Sequence, residues 1–313
     1  MTSPSVRNLL RAVALALIGL SVPVGTTAHQ NRAVLWKDPG NIAALDLYWG
    51  SGAEARSPKG PFAFVKDDSS GVQPKIDVRD AEGRSWDVKF GEEVHAEIAA
   101  NRIVWALGYT AEEIYFVPQG TITGMTDTGR LKEFVAPDGS FRKASFRLRG
   151  PESQRAEDRW TFEQNPFVNT PELSGLAILM TMLCNWDIKG TRNNRILQAD
   201  GEDRYIVSDL GATFGKMGKF PVPRSKWNLE DFQKEEFIEK VENGIVDLDN
   251  EGYGGFDKVS LEHARWFAQL ATQLTDPQLQ AALRASGASD AEIAGFSARL
   301  REKLAELQKA VGS

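Results

Sequence analysis

The chain has 313 residues, 42 % of them apolar and eight of them Trp, with a formal net charge of −6. That length allows one or two domains of ~100–200 residues around a sizeable core, while the acidic balance argues against nucleic acid or an anionic membrane surface as a partner. The only cysteine, Cys184, excludes an intramolecular disulfide.

Residues 1–28 have the pattern of a secretory signal. Arg7 and Arg11 precede the apolar run 12–20, and Thr26-Thr27-Ala28 offers a small-residue cleavage site. The run is shorter than the ~20 residues of a spanning helix. No cysteine sits at the cleavage point and no twin-arginine pair precedes the run. The expected mature protein therefore begins at His29 and is exported, periplasmic or extracellular, with no stable membrane span. Cleavage takes two of the 37 basic residues and none of the 43 acids, moving the net charge from −6 to −8.

Residues 62–78 have strand-turn-strand character, with Gly71 at the turn. Ser85-Trp86-Asp87-Val88-Lys89-Phe90 alternates like a strand ending at Gly91, and residues 92–107 read as a helix stopped by Gly108. Lys89 and Glu97 thus lie eight residues apart across a strand-to-helix turn. Glu93 and Glu97 share a helical face. Glu97, mid-helix among alanines that permit close packing, is the acid expected to face inward.

Thr170 and Pro171 give N-cap and first-turn signals for a buried helix through the apolar run 176–183. It delivers the segment Asn185-Trp186-Asp187-Ile188-Lys189, with the amides Asn193 and Asn194, the strand Ile196-Leu197, and then Tyr205-Ile206-Val207-Ser208-Asp209-Leu210-Gly211. Cys184 closes the helix and pairs with no histidine motif, so a nucleophilic role is not expected. The basic stretch 216–226 is either a solvated connection or a contact for an acidic substrate. From about Ser260 onward the chain reads as helical, with capping boxes at Thr275/Gln278 and Ser289/Glu292. The P-loop-like residues 211–216 have one residue too few between the glycines, and the calcium-loop-like stretch from Asp247 has Lys258 at its twelfth position. Both are rejected. Each acid or lysine taken singly also suits a solvated pair or a turn; only their order along the chain points further.

That order resembles the atypical protein kinases over roughly residues 62–215: Lys on a strand, Glu on the next helix, Asp-x-Lys, an amide, a short strand, and Asp-Leu-Gly. The nearest branches in character are the HipA-type, CotH-type, secretory-pathway casein and phosphatidylinositol kinases. The resemblance implies an α+β, two-lobed protein-kinase-like fold, with a small β-rich N-lobe at 29–145 and a mainly helical C-lobe at 146–313. It also places the next strand near Val117-Pro118. Lys89, held by Glu97, would contact the phosphates of ATP, and Asn194, with Asn193 as the alternative, would bind Mg²⁺ together with Asp209. Asp187 would orient the acceptor hydroxyl and Lys189 would stabilise transferred charge. Departures from the family are the missing Gly-x-Gly-x-x-Gly loop, Asn-Trp-Asp in place of His-Arg-Asp, an amide six or seven residues after Asp187 instead of five, and no Ala-Pro-Glu signature. The implied function is an exported phosphotransferase using Mg-ATP on a hydroxyl-bearing acceptor, whether protein, lipid headgroup or sugar. Transfer of a nucleotidyl group is the variant chemistry. The reading from another class is a catalytically silent kinase-like binding or scaffold protein of the cell envelope.

Overall fold

Alternating apolar residues between glycine stops build most of the first half of the chain. The computed structural model describes residues 31–68, 73–150, 155–188, 194–218, 221–250 and 257–312. After β1 (Arg32–Val34) come β2 (Phe62–Asp68), β3 (Lys75–Arg79), β4 (Ser85–Phe90), α1 (Glu93–Ala106), β5 (Ile114–Thr123) and β6 (Ser140–Arg149). The five strands from β2 onward close into a barrel in the order β2-β3-β4-β6-β5, the closing contact of β2 with β5 being short. Trp86, Val88 and Phe90 of β4 fill its interior with Ile76, Val78 and Phe146. Because side chains alternate along a strand, Asp87 and Lys89 take the opposite face. Cross-strand register lines them up there with Asp77 and Lys75 on β3 and with Arg147 and Ser145 on β6.

The strand near Val117-Pro118 begins three residues earlier than expected, at Ile114. Pro118 is tolerated inside it because β5 meets β2 only at Ile122 and Thr123, so no ladder bond is required of its missing N–H on that edge. The barrel's last strand runs on to Arg149. Gly71 and its turn lie outside the described residues.

Beyond the barrel come β7 (Arg155–Arg159), α2 (Pro171–Met182), β8 (Asn194–Ala199) and β9 (Glu202–Val207). The sheet order is β1-β9-β8-β7, with β1 parallel to β9 and β8–β9 an antiparallel hairpin. They are followed by α3 (Leu229–Lys234), the small sheet of β10 (Ile238–Glu242), β11 (Ile245–Leu248) and β12 (Lys258–Ser260), and finally α4 (Leu261–Ala271), α5 (Asp276–Ala285) and α6 (Asp290–Val311). The class is mixed α+β, as expected. Thr170 caps α2 by accepting from the Leu173 N–H at 3.2 Å, and both expected capping boxes form, on α5 and α6. Among the described residues no helix is long and apolar enough to cross a membrane.

The α1 and α2 helices share one core. Ala96, Ala99, Ala100 and Ile103 of α1 pack into the same cluster as Leu176, Ile178, Leu179 and Met182 of α2, each large aliphatic side chain contributing about 1.5–3 kcal/mol relative to exposure. The C-terminal helices grip the start of α1 as well. His95 Nδ1–H donates to the Ser286 carbonyl at 2.7 Å, and its ring stacks on Trp227 with centroids 5.5 Å apart. Trp227 in turn donates to Glu292 of α6 at 2.8 Å.

Burial, followed by the charge of Lys143, lowers the His95 pKa despite the Ser286 bond and Glu292. A base with a depressed folded pKa favours folding while it is neutral; that contribution is present above the unfolded value of ~6.5 and is lost as pH falls through the folded value. The parent protein should therefore lose melting temperature as pH falls below about 6.5 more steeply than His95→Asn, whose amide is also a donor for that carbonyl. Parallel slopes for the two proteins would remove His95 as the titrating group.

Candidate active site

The strand-to-helix turn after β4 carries the centre of the site. Gly91, with φ +100°, ends the strand in a backbone conformation that L side chains rarely adopt, and α1 starts two residues later. Lys89, on the outer face of β4, points its ammonium into three carboxylates: Glu97 at 3.2 Å, Glu93 at 3.2 Å and Asp209 at 3.6 Å. The side chains of Lys89 and Glu97 are 7 % and 6 % exposed, whereas that of Asp209 is 35 % exposed, so the cluster opens to solvent on the Asp209 side. Ser145 donates to Glu97 at 3.5 Å from β6. Glu93, which the sequence left as a second acid on the same face, proves to be a partner of Lys89 too.

The charges are unequal and their pKa values follow. Burial works against the Lys89 ammonium, but Glu97, then Asp209, then Glu93 outweigh it and hold its pKa above the ordinary lysine value. Glu97 is raised chiefly by burial, with Lys89 opposing. Burial would also raise Asp209, yet Lys89, the Gly211 N–H and Lys75 keep it below the usual carboxylate value. At neutral pH the cluster thus presents an ionised carboxylate at its open side.

Asp209 reaches this position through the β8–β9 hairpin and the loop that follows. Thr213 Oγ1 bonds the Leu210 carbonyl at 2.8 Å and the Ala96 carbonyl of α1 at 3.4 Å. Gly211 allows the loop to lie against α1, since a Cβ there would stand 2.7 Å from Glu93 Cβ. The Asp187 loop is stitched to the same segment by Trp186 N–H to Ala212 O at 3.3 Å and Phe214 N–H to Leu183 O at 2.9 Å. Asp187 itself is half-buried in the turn after α2, and its N–H donates to Asn185 Oδ1 at 3.1 Å.

Asn194 opens β8 and pairs in register with Val207, two residues before Asp209 on the neighbouring strand. It is buried, and its Nδ2 donates to the Ile188 carbonyl at 3.4 Å. Its Oδ1 is buried with no hydrogen-bond partner. An unsatisfied buried amide oxygen is costly, and an amide oxygen, like the carboxylate of Asp209, is a hard-oxygen donor of the kind Mg²⁺ takes. Among the described residues no group of three or more His, Cys, Asp and Glu is arranged to hold a metal.

Of the residues singled out by sequence, Lys89, Glu97 and Asp209 come together; Asp187 and Asn194 lie on segments bonded or paired to the Asp209 loop and to the strand that leads to it. Lys189 and Asn193 lie outside the described residues. The basic stretch 216–226 turns two of its lysines inward, Lys216 to Asp231 at 3.0 Å and Lys226 to Glu93 at 3.0 Å. Those two do not stand ready for an acidic substrate. Sequence reasoning also missed the ladder beside Lys89, where Arg147 bonds Asp87 and, at 3.0 Å, Glu112. Its signal was the shared alternation of β4 and β6, but not their register.

No family model and no curated protein matches the chain. Similar solved structures include the Helicobacter pylori proinflammatory kinase CtkA, at 12 % identity over 80 % of this chain and 95 % of that chain, with a TM-score of 0.44. The Golgi casein kinase with Mn/ADP bound is similar at 13 % identity over 86 % of this chain and 75 % of that one, with a TM-score of 0.41. A further structure of the Golgi casein kinase has 12 % identity, 88 % and 78 % coverage and a TM-score of 0.39. Residue roles rest on the chain's own geometry.

Proposed function

We propose that this chain is an exported, atypical kinase-like phosphotransferase that uses Mg-ATP on a hydroxyl-bearing acceptor. The observation that carries the reading is the buried Lys89 ammonium among Glu97, Glu93 and Asp209; the orphaned Asn194 Oδ1 lies on the strand paired with the one that leads to Asp209. A strand lysine enclosed by acids from a helix and a loop suits a charge held ready for phosphate oxygens; a solvated surface pair would need none of this enclosure. Lys89 binds the nucleotide phosphates, and Glu97 keeps it aimed. Asn194 and Asp209 hold Mg²⁺, which when bound supplies positive charge against the phosphates. Asp187 orients the acceptor hydroxyl and takes its proton as the new oxygen–phosphorus bond forms and the bond from the γ-phosphorus to the bridging oxygen breaks. Lys189 steadies the charge that moves.

The test is transfer of label. The purified protein, incubated with ATP labelled in its γ-phosphate and with protein, lipid and sugar pools from a cell envelope, should label one of the three in a Mg²⁺-dependent way. Label delivered only from the α-phosphate would replace phosphoryl by nucleotidyl transfer. No label in any pool, despite tight Mg-ATP binding, would favour a silent binding protein.

Export is part of the proposal and rests on residues 1–28. Protein isolated from its native cells should begin near His29 and be found outside the cytoplasm. An N-terminal reading of Met1 on soluble cytoplasmic protein would remove export without touching the site.

A further inference from the structure

We infer that Lys226 is a positioning residue for this site: by holding the carboxylate of Glu93 it sets how tightly Lys89 is tied down. The inference builds on the phosphate-binding role given to Lys89 above. Glu93 stands one turn before Glu97 on α1, so the two acids share a face. Its oxygens are divided between two lysines. Oε2 lies 3.2 Å from Lys89 Nζ, while Oε1 lies 3.0 Å from Lys226 Nζ and also accepts from Gln73 Nε2 at 3.4 Å. The contact is largely enclosed, with 14 % of the Glu93 side chain and 18 % of the Lys226 side chain exposed.

Charge explains what the arrangement does. Lys89 alone faces three carboxylates, an excess of two negative charges, and Lys226 reduces the excess to one. Without Lys226, Glu93 is left with Lys89 as its cation, and an incoming phosphate must compete with three carboxylates for the same ammonium. With Lys226 in place, one of those carboxylates is shared. The backbone around Lys226 is fixed on the loop that follows Asp209: Trp227 N–H bonds Thr213 O at 3.0 Å and Asn228 N–H bonds Phe214 O at 2.7 Å. The Ser225 carbonyl accepts from Trp186 Nε1 at 2.9 Å, next to Asp187. Lys226 therefore joins the acceptor-side segment to the helix that holds Glu97.

A mutant cycle tests this without any nucleotide. Urea unfolding of the full chain at pH 7.5 gives the drop in midpoint that Lys89→Met causes in the parent, in Lys226→Gln and in Lys226→Gln/Glu93→Gln. The drop should be larger in Lys226→Gln than in the parent, because Glu93 then has no second cation, and should return to the parent drop or below it when Glu93→Gln is added. Lys226→Arg, which keeps the charge, should leave the drop at the parent value. Glu93→Gln alone should shrink it, which serves if Lys226→Gln does not fold. An equal or smaller drop in folded Lys226→Gln, or an enlarged drop that persists when Glu93→Gln is added, would overturn the inference. A parent that shows this coupling but binds no Mg-ATP would leave the Lys226–Glu93–Lys89 coupling standing and remove the proposed function instead.

Discussion

Lys89→Met is expected to lower stability by about 3–5 kcal/mol at neutral pH, the usual cost of breaking a buried ion pair from one side, and to abolish nucleotide binding. The change leaves Glu97, 6 % exposed, and the neighbouring Glu93 and Asp209 without their common cation. Three partly buried carboxylates then repel one another. Proton uptake relieves the strain, and Glu97 is the acid already raised by burial. The deficit relative to the parent should therefore shrink as pH falls through the carboxylate range and be full at pH 7. The raised pKa of Lys89 has the opposite sense: its stabilisation is complete below the unfolded lysine value of ~10.4 and is lost only as pH rises through the folded value, so the parent gains nothing from acid at this group. Urea unfolding at pH 7.5 and pH 5 measures both. The double variant Lys89→Met/Glu97→Gln should be less damaged than Lys89→Met, because removing a charge with its partner costs less than stranding it. Equal stability of Lys89→Met and the parent at pH 7.5 would mean that the cluster is not enclosed.

Asp187→Asn should lower phosphotransfer by ~10²–10⁴-fold, the range of general-base contributions, with Mg-ATP affinity hardly changed. Asparagine keeps the shape of the side chain, and the backbone bond from residue 187 to Asn185 Oδ1 does not depend on the carboxylate. What is lost is the negative charge and most of the capacity to accept a proton. The γ-label assay and a binding titration on the same preparation separate the two effects. A fall confined to affinity would make Asp187 a metal-binding or structural residue.

The strand, glycine and helix around Lys89 were legible in sequence because alternation, a stop and a helical run occur together within 24 residues of chain, from Ser85 to Gly108. The caps at Thr170, Thr275 and Ser289 were legible for the same local reason. Glu93 and Glu97 were harder: residues four apart on a helix share a face, and nothing local says that one lysine would reach both. Lys226 was out of reach, since its partner lies 133 residues away and a basic run between glycine and prolines ordinarily faces water. Arg147 and Asp87 were hidden for a third reason, because their pairing depends on the register of β4 against β6, which alternation alone does not set. Local pattern thus revealed Lys89, Glu97 and Asp209, while the residues that balance their charge come from pairings distant in the chain.

The central claim is that Lys89 and Asp209 belong to one metal-nucleotide site, and calorimetric titration of ATP into the purified protein, with and without Mg²⁺, tests it most directly. The parent should bind one ATP per chain, more tightly with Mg²⁺ than without. Asp209→Ala should lose the metal-dependent part, since a carboxylate is the natural hard-oxygen anchor for Mg²⁺, while Lys89→Met should lose binding whether or not the metal is present. If the parent and both variants bound ATP and Mg²⁺ equally well, or if the parent bound neither, the site would not be what the geometry around Lys89 indicates.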